Sequence, residues 1–238
     1  MTFRKDIPAF TFYLLFGSVL IFMLVLKYSN KGFSLYINEL HHPILDAFFK
    51  HITHLGDGLM LLLFLPIIFF KKSTYGIILH LGALIHLVFV YLGKQVFFHG
   101  APRPMLVFQD LSLHVVEGVK IASYNTFPSG HTATAFLLAA LLAQTRPRQP
   151  FYQFFPFLLA LLVAFSRVYL MQHFLVDVLA GMWIGYFSFF AAKAITLRFP
   201  PKWQNFRLNQ FLLSKLQLGL VVWKRRIHSD NYRYRRLK

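Results

Sequence analysis

The 238 residues are 57% hydrophobic and 14% charged, with 29 Phe and no Cys, whereas about a quarter of the residues in a soluble domain are charged. Such a chain cannot assemble the polar surface that a soluble fold of this size requires, so it reads as one integral membrane domain. The net charge of +17 is accounted for by anionic lipid headgroups, with no nucleic-acid partner expected, and the lack of Cys excludes a disulfide framework, a thiolate zinc site and a cysteine nucleophile.

In chain order, Arg4 and Lys5 precede an apolar run from Pro8 to Leu26. Lys27, Tyr28 and Ser29 follow it where a cleavable signal would have small residues, so the run reads as a retained signal anchor and first spanning helix. Phe33 to His54 mixes Leu35, Ile37, Leu40, Ile44, Leu45, Phe48 and Phe49 with charged residues. This predicts one or two interfacial helices, broken at Pro43. Gly58 to Phe70 is apolar but short, and spans only by recruiting residues from Ile52 to Asp57. Tyr75–Val96, Thr132–Ala143, Phe151–Phe165 and Val176–Leu197 are the third to sixth predicted helices. From Lys202 onward, Leu212, Leu216, Leu220 and Trp223 recur at helical steps among basic residues, as in an amphipathic helix on the inner leaflet.

The expected fold is therefore all-α: a six-transmembrane-helix bundle over residues 1–200, with interfacial helices before helix two, and a basic amphipathic cytoplasmic tail over 201–238. The cation distribution fits this count. With the N-terminus inside, the inner segments hold Arg4 and Lys5, Lys71 and Lys72, Arg146 and Arg148, and a tail with eleven Lys or Arg against Asp230 alone between 198 and 238. Both termini are then cytoplasmic, and the tail meets anionic inner-leaflet lipids.

Polar groups near membrane depth mark function. Three clusters fall on the outer side: Lys94 with Arg103-Pro104; Phe127-Pro128-Ser129-Gly130-His131; and Ser166-Arg167, His173 and Asp177. A phosphate monoester is a dianion whose transfer needs cations around its equatorial oxygens and a nucleophile in line with the leaving group. Lys94, Arg103 and Arg167 supply such a cradle, Ser129 adds a hydroxyl donor, and Gly130 admits the ligand close to the backbone at a helix N-terminus. His173 and Asp177 are four residues apart, so on a helix they share one face and the carboxylate holds one ring nitrogen as N–H. Taken singly these features are weak, since a His–Asp pair is commonly structural and Ser129 is a favoured helix cap.

Together the clusters resemble the type 2 phosphatidic acid phosphatase superfamily. Pro128 to His131 matches its second motif, and Ser166 to Asp177 matches its third with five residues between Arg167 and His173 and three between His173 and Asp177. The first motif departs, with eight residues between Lys94 and Arg103 where the family usually has six; Lys120 and His99 are alternative donors. The resemblance covers Phe33 to Leu197, including the approach Leu55-Gly56-Asp57-Gly58. It implies that His173 becomes a phosphohistidine, that Asp177 orients it, and that His131 protonates the leaving oxygen and then activates water, with no cofactor.

The implied activity is hydrolysis of a lipid phosphate or diphosphate at the extracytoplasmic face, which is periplasmic if the chain is bacterial. Phosphatidic acid, phosphatidylglycerol phosphate, undecaprenyl diphosphate and lipid A are the candidate substrates. A lipid phosphotransferase using the same intermediate and a non-catalytic anionic-lipid carrier are the alternatives; haloperoxidases share the motifs but fit six spans poorly. No metal is expected at His41, His42, His51 or His54, which lack a spaced carboxylate–histidine set. His80 and His86 are expected to pack between helices, Lys193 to snorkel, and the Phe excess to face lipid.

Overall fold

The computed structural model describes residues 6–69 and 73–200. Regular structure there is helical: α1 Pro8–Tyr28, α2 Asn30–Glu39, α3 Pro43–Ile52, α4 Gly58–Phe69, α5 Ser73–Leu92, α6 Pro104–Val107, α7 Gly130–Gln144, α8 Pro150–Tyr169 and α9 Leu175–Thr196. A 3₁₀ turn over Thr53–Gly56 leads into α4, and a π turn over Gly93–Phe97 extends α5. The amphipathic tail expected from Lys202 onward, and the Lys71 and Lys72 pair, lie outside the described residues.

Helices occupy all six places where a span is predicted. Four are long and apolar enough to cross a membrane: Pro8–Tyr28, Thr74–Phe97, Pro150–Tyr169 and Leu175–Thr196. The fifteen residues of α7 reach about 22 Å, short of a hydrocarbon core of about 30 Å. This helix is buried along nearly its whole length among α5, α8 and α9. It is the axis of the bundle rather than a lipid-facing wall.

Pro43 does divide the Phe33–His54 stretch, into α2 and α3, and it does so from the first position of α3, where its missing N–H has no partner to lose and the His42 side chain caps the Ile44 amide at 3.3 Å. Several boundaries differ from expectation, each for a local reason. Helix α7 begins at Gly130, two residues before Thr132, because the Ser129 hydroxyl caps it, accepting from the Thr132 amide at 3.4 Å. Helix α8 runs through Ser166 and Arg167 to Tyr169, and the Ser166 hydroxyl bonds back to the Val163 carbonyl at 2.6 Å. The third motif therefore begins inside the last turn of α8.

Small residues set the spacing of α7 and α9. A Cβ at Gly181 would lie 2.6 Å from the Ser129 carbonyl, and one at Gly185 would strike the Ala133 carbonyl. Close backbone approach of this kind is how helices pack where lipid removes the hydrophobic drive between them. The phenylalanines divide between two settings. Phe12, Phe16 and Phe22 of α1 are exposed, as expected of lipid-facing bulk. Phe10, Phe136 and Phe157 instead form an edge-to-face cluster in the core with centroids 5.9–6.5 Å apart. Lys193 does not snorkel: it is buried and donates to Gln144 at 3.1 Å and Asp6 at 3.3 Å. Burial with two acceptors satisfies its charge within the bundle.

Candidate active site

The turn linking α8 to α9 positions the central histidine. Past Tyr169 the chain folds back through Met171, whose φ is +54°, and the amides of both Gln172 and His173 donate to the Arg167 carbonyl at 2.9 and 3.0 Å. Five intervening residues thus bring His173 beside Arg167. His173 lies before α9, so it does not share a helical face with Asp177. The carboxylate, in the first turn of α9, instead caps the Phe174 amide at 2.8 Å and so points back over the turn, 3.4 Å from His173 Nδ1. Thr126 donates its hydroxyl to the same carboxylate oxygen and lies 3.4 Å from His173 Nδ1.

That arrangement engages Nδ1, and Nε2 has no hydrogen-bond partner among the described residues. His173 is only 2% exposed. Burial, followed by the charges of Arg167, Arg103 and Lys94, holds its pKa well below the ordinary histidine value, so the ring is neutral. A neutral imidazole with one nitrogen bound and the other free is the form able to attack phosphorus.

The second motif reaches this place from α7. The Ser129 amide donates to the Asp177 carbonyl at 3.0 Å, which joins the start of α7 to the first turn of α9. Ser129 is fully buried, and its oxygen accepts from the Thr132 hydroxyl at 2.9 Å. Gly130 opens the helix, and His131 follows with Nε2 2.7 Å from Asp57 Oδ1.

Three cations surround the pair of histidines. Lys94 stands in the π turn and donates to the Asn125 carbonyl at 2.9 Å. Arg103 donates from Nε to the Tyr124 carbonyl at 2.9 Å and from Nη1 to the Gln172 carbonyl at 3.1 Å. Arg167 donates from Nη1 to Thr53 at 2.7 Å, while its buried Nε has no partner among the described residues. A buried guanidinium N–H without a partner is costly unless a ligand completes it, and an oxyanion is the natural acceptor.

The longer gap after Lys94 is absorbed locally. The π turn widens α5 at Gly93–Phe97, Gly100 turns with φ of +73°, and Pro102 bridges to Tyr124. Lys94 therefore stays in the cluster. His99 and the Lys120 side chain are exposed, and what Lys120 brings to the site is its carbonyl, which accepts from Gln172 Nε2 at 3.2 Å.

All eight residues singled out in the sequence gather here. Sequence reasoning passed over Thr126, Asn125 and Gln172, which hold the carboxylate, the lysine and the arginine. The only signal for Asn125 is its residue type, since Asn tolerates the left-handed backbone it adopts, with φ of +58°. Asp57 was noted only as part of the approach to α4.

The chain is 30% identical over 163 residues to the lipid A 4'-phosphatase of Porphyromonas gingivalis, covering 66% of this chain and 68% of that protein. It resembles the crystal structure of Aquifex aeolicus LpxE with a TM-score of 0.59 and 29% identity, over 71% of this chain and 95% of the other. It also resembles the transmembrane phosphatidylglycerolphosphate phosphatase of Bacillus subtilis, with a TM-score of 0.54 and 25% identity, over 83% and 98%. The model of the PAP2 superfamily matches residues 59–201, which takes in all three motifs, and the chain belongs to that superfamily.

Proposed function

We propose that this protein is an integral membrane lipid phosphatase that removes a phosphate monoester or terminal diphosphate phosphoryl group through a phosphohistidine at His173. The observation that carries the reading is the buried His173, held at Nδ1 beside Asp177 and ringed by Lys94, Arg103 and Arg167, the last with a buried Nε that has no partner among the described residues. Relatives whose names specify lipid A and phosphatidylglycerolphosphate support the substrate class. An apolar cavity of 140 Å³ between α7 and α8, lined by Leu55, Ala135, Leu138 and Val163 and starting one turn from His131, has room for the first few carbons of a hydrocarbon anchor.

The chemistry runs in two displacements. Nε2 of His173 attacks phosphorus as the bond to the leaving oxygen breaks, and that oxygen takes a proton from His131. His131, now neutral, accepts a proton from water whose oxygen attacks the phosphohistidine. The N–P bond breaks, inorganic phosphate leaves, and both histidines return to their starting states. Lys94, Arg103 and Arg167 carry the charge of the equatorial oxygens throughout, with the amides at the start of α7 beside them. Six spans with the site on the outer side, and both termini inside, are the topology that the cation distribution supports.

The test is phosphate release from a lipid phosphate in detergent micelles with a chelator present. Single His173→Ala and His131→Ala variants should each lose at least about 100-fold in kcat, as expected for a nucleophile and a general acid, while the wild type keeps its rate. Undiminished turnover by His173→Ala, or loss of wild-type activity on chelation, would contradict the proposal.

A further inference from the structure

Asp57 and His54 are not among the residues that the motifs assign, yet they form a built arrangement on the leaving-group side of the site. Asp57 Oδ1 lies 2.7 Å from His131 Nε2, and Asp57 Oδ2 lies 2.8 Å from His54 Nδ1. His54 is exposed and His131 partly so. The chain His54–Asp57–His131 thus runs from the surface to the catalytic ring.

The backbone holds this contact firmly. A Cβ at Gly56 would lie 2.7 Å from the His131 carbonyl and 2.7 Å from Val163, so the 3₁₀ turn is packed directly on the first turn of α7. The Asp57 amide closes that turn on the His54 carbonyl at 3.1 Å. The two oxygens of Asp57 are therefore committed to two rings by a segment with no room to move toward α7.

Resting on the phosphatase reading above, we infer that Asp57, braced by His54, is the positioning carboxylate for His131. It takes the Nε2–H and leaves Nδ1 as the only nitrogen able to exchange a proton with the leaving oxygen. The electrostatics require such a group. His131 is faced by Arg167 from α8, Lys94 from the π turn and His173 from the α8–α9 turn, with Asp57 and, behind it, His54 on the remaining side. The neighbouring cations oppose a second proton on the ring, yet a general acid must carry one. Asp57 is the negative charge in contact that offsets them. Its own carboxyl stays ionised: burial alone would raise its pKa, but the hydrogen bond from His54 and the charge of His131 bring it below the ordinary value.

The role makes a demand that a merely structural one does not. Protonation matters for an alkoxide leaving group and little for a nitrophenolate, so the defect should depend on the leaving group. For the full-length protein in detergent, Asp57→Asn should lower kcat/KM for a long-chain alkyl phosphate by about 100-fold and for nitrophenyl phosphate by less than about 5-fold. Retained nitrophenyl phosphate hydrolysis then also reports a folded site. His131→Ala, which also removes the base of the second displacement, should show the same leaving-group dependence only in the first turnover, read as release of the alcohol or nitrophenolate, and adding Asp57→Asn to it should cost nothing further in that step, since the two act as one unit.

Equal losses on both substrates, wild-type rates on both, or a further loss on top of His131→Ala would overturn the inference. If Asp57→Asn does not fold, Asp57→Ser is read against the same two substrates and the same double variant. The outcomes separate from those of the underlying proposal, because turnover surviving His173→Ala would remove the phosphatase mechanism itself. An inactive His173→Ala with no leaving-group dependence in Asp57→Asn would remove only the role of Asp57.

Discussion

Arg167 shows how much of the site rests on single donors. Its Nη1 is committed to Thr53, and its buried Nε has no acceptor among the described residues. The planar fork is thus divided between a structural bond and one left for a ligand. Arg167→Lys keeps the charge but places one ammonium where two separate donors are needed. Loss of one charge-assisted hydrogen bond, about 1.5–3 kcal/mol, corresponds to a fall in kcat/KM of about 10- to 150-fold. Steady-state kinetics on a lipid phosphate measure it, and a change of less than about 3-fold would mean that the guanidinium does not grip substrate as described. The arginines, histidines and Asp177 were legible because their spacing along the chain is itself the signature. Thr126, Asn125 and Gln172 were not, because they act through contacts that only the folded turns create. Asp57 sits between these cases, since its place is in the sequence but its partner, His131, is 74 residues away.

At the level of elements, the long segment between α6 and α7 must be pinned, because it delivers Tyr124, Asn125 and Thr126 to the cations and to Asp177. The pin lies at Asp46 of α3. Its carboxylate accepts from Tyr169 at 2.6 Å and pairs with His114 at 2.8 Å, while Asn38 of α2 holds the His114 backbone through both its carbonyl and its amide at 2.8 and 3.0 Å. Burial would raise the Asp46 pKa, but the bonds from Tyr169 and His114 bring it below the ordinary value. A carboxyl lowered in the folded state contributes stability above its unfolded pKa and loses it as pH falls through the folded one. Asp46→Asn should therefore cost about 1–3 kcal/mol near neutral pH, read as a lower melting temperature. The gap from wild type should close as pH falls below about 4. A gap unchanged by acid would contradict the ionised pin. Helix existence was legible here from apolar length, and helix ends were not. Ser129 and Ser166 each moved a boundary through a cap or a back-bonded hydroxyl that hydropathy does not register.

For the whole molecule, the bundle reverses the usual roles of its helices. The most buried one, α7, is shorter than the four helices long and apolar enough to cross a membrane by themselves, and it carries the start of the second motif, while α5, α8 and α9 pack around it. The inward-facing small residues of α9 bring Ser129 and Asp177 into direct backbone contact, so the fold itself joins the two motifs. Membrane character was legible from composition alone; the central position of α7 was not, because its apolar residues look the same whether they meet lipid or neighbouring helices. The account stands on a covalent phosphoryl adduct at His173, and brief mixing with labelled lipid phosphate, alkaline quenching and peptide mass spectrometry test it most directly. The wild type should yield an acid-labile, alkali-stable phosphoryl group on the peptide containing His173, and His173→Ala should yield none. Rapid phosphate release with no adduct on that peptide, or an adduct that persists without His173, would contradict it.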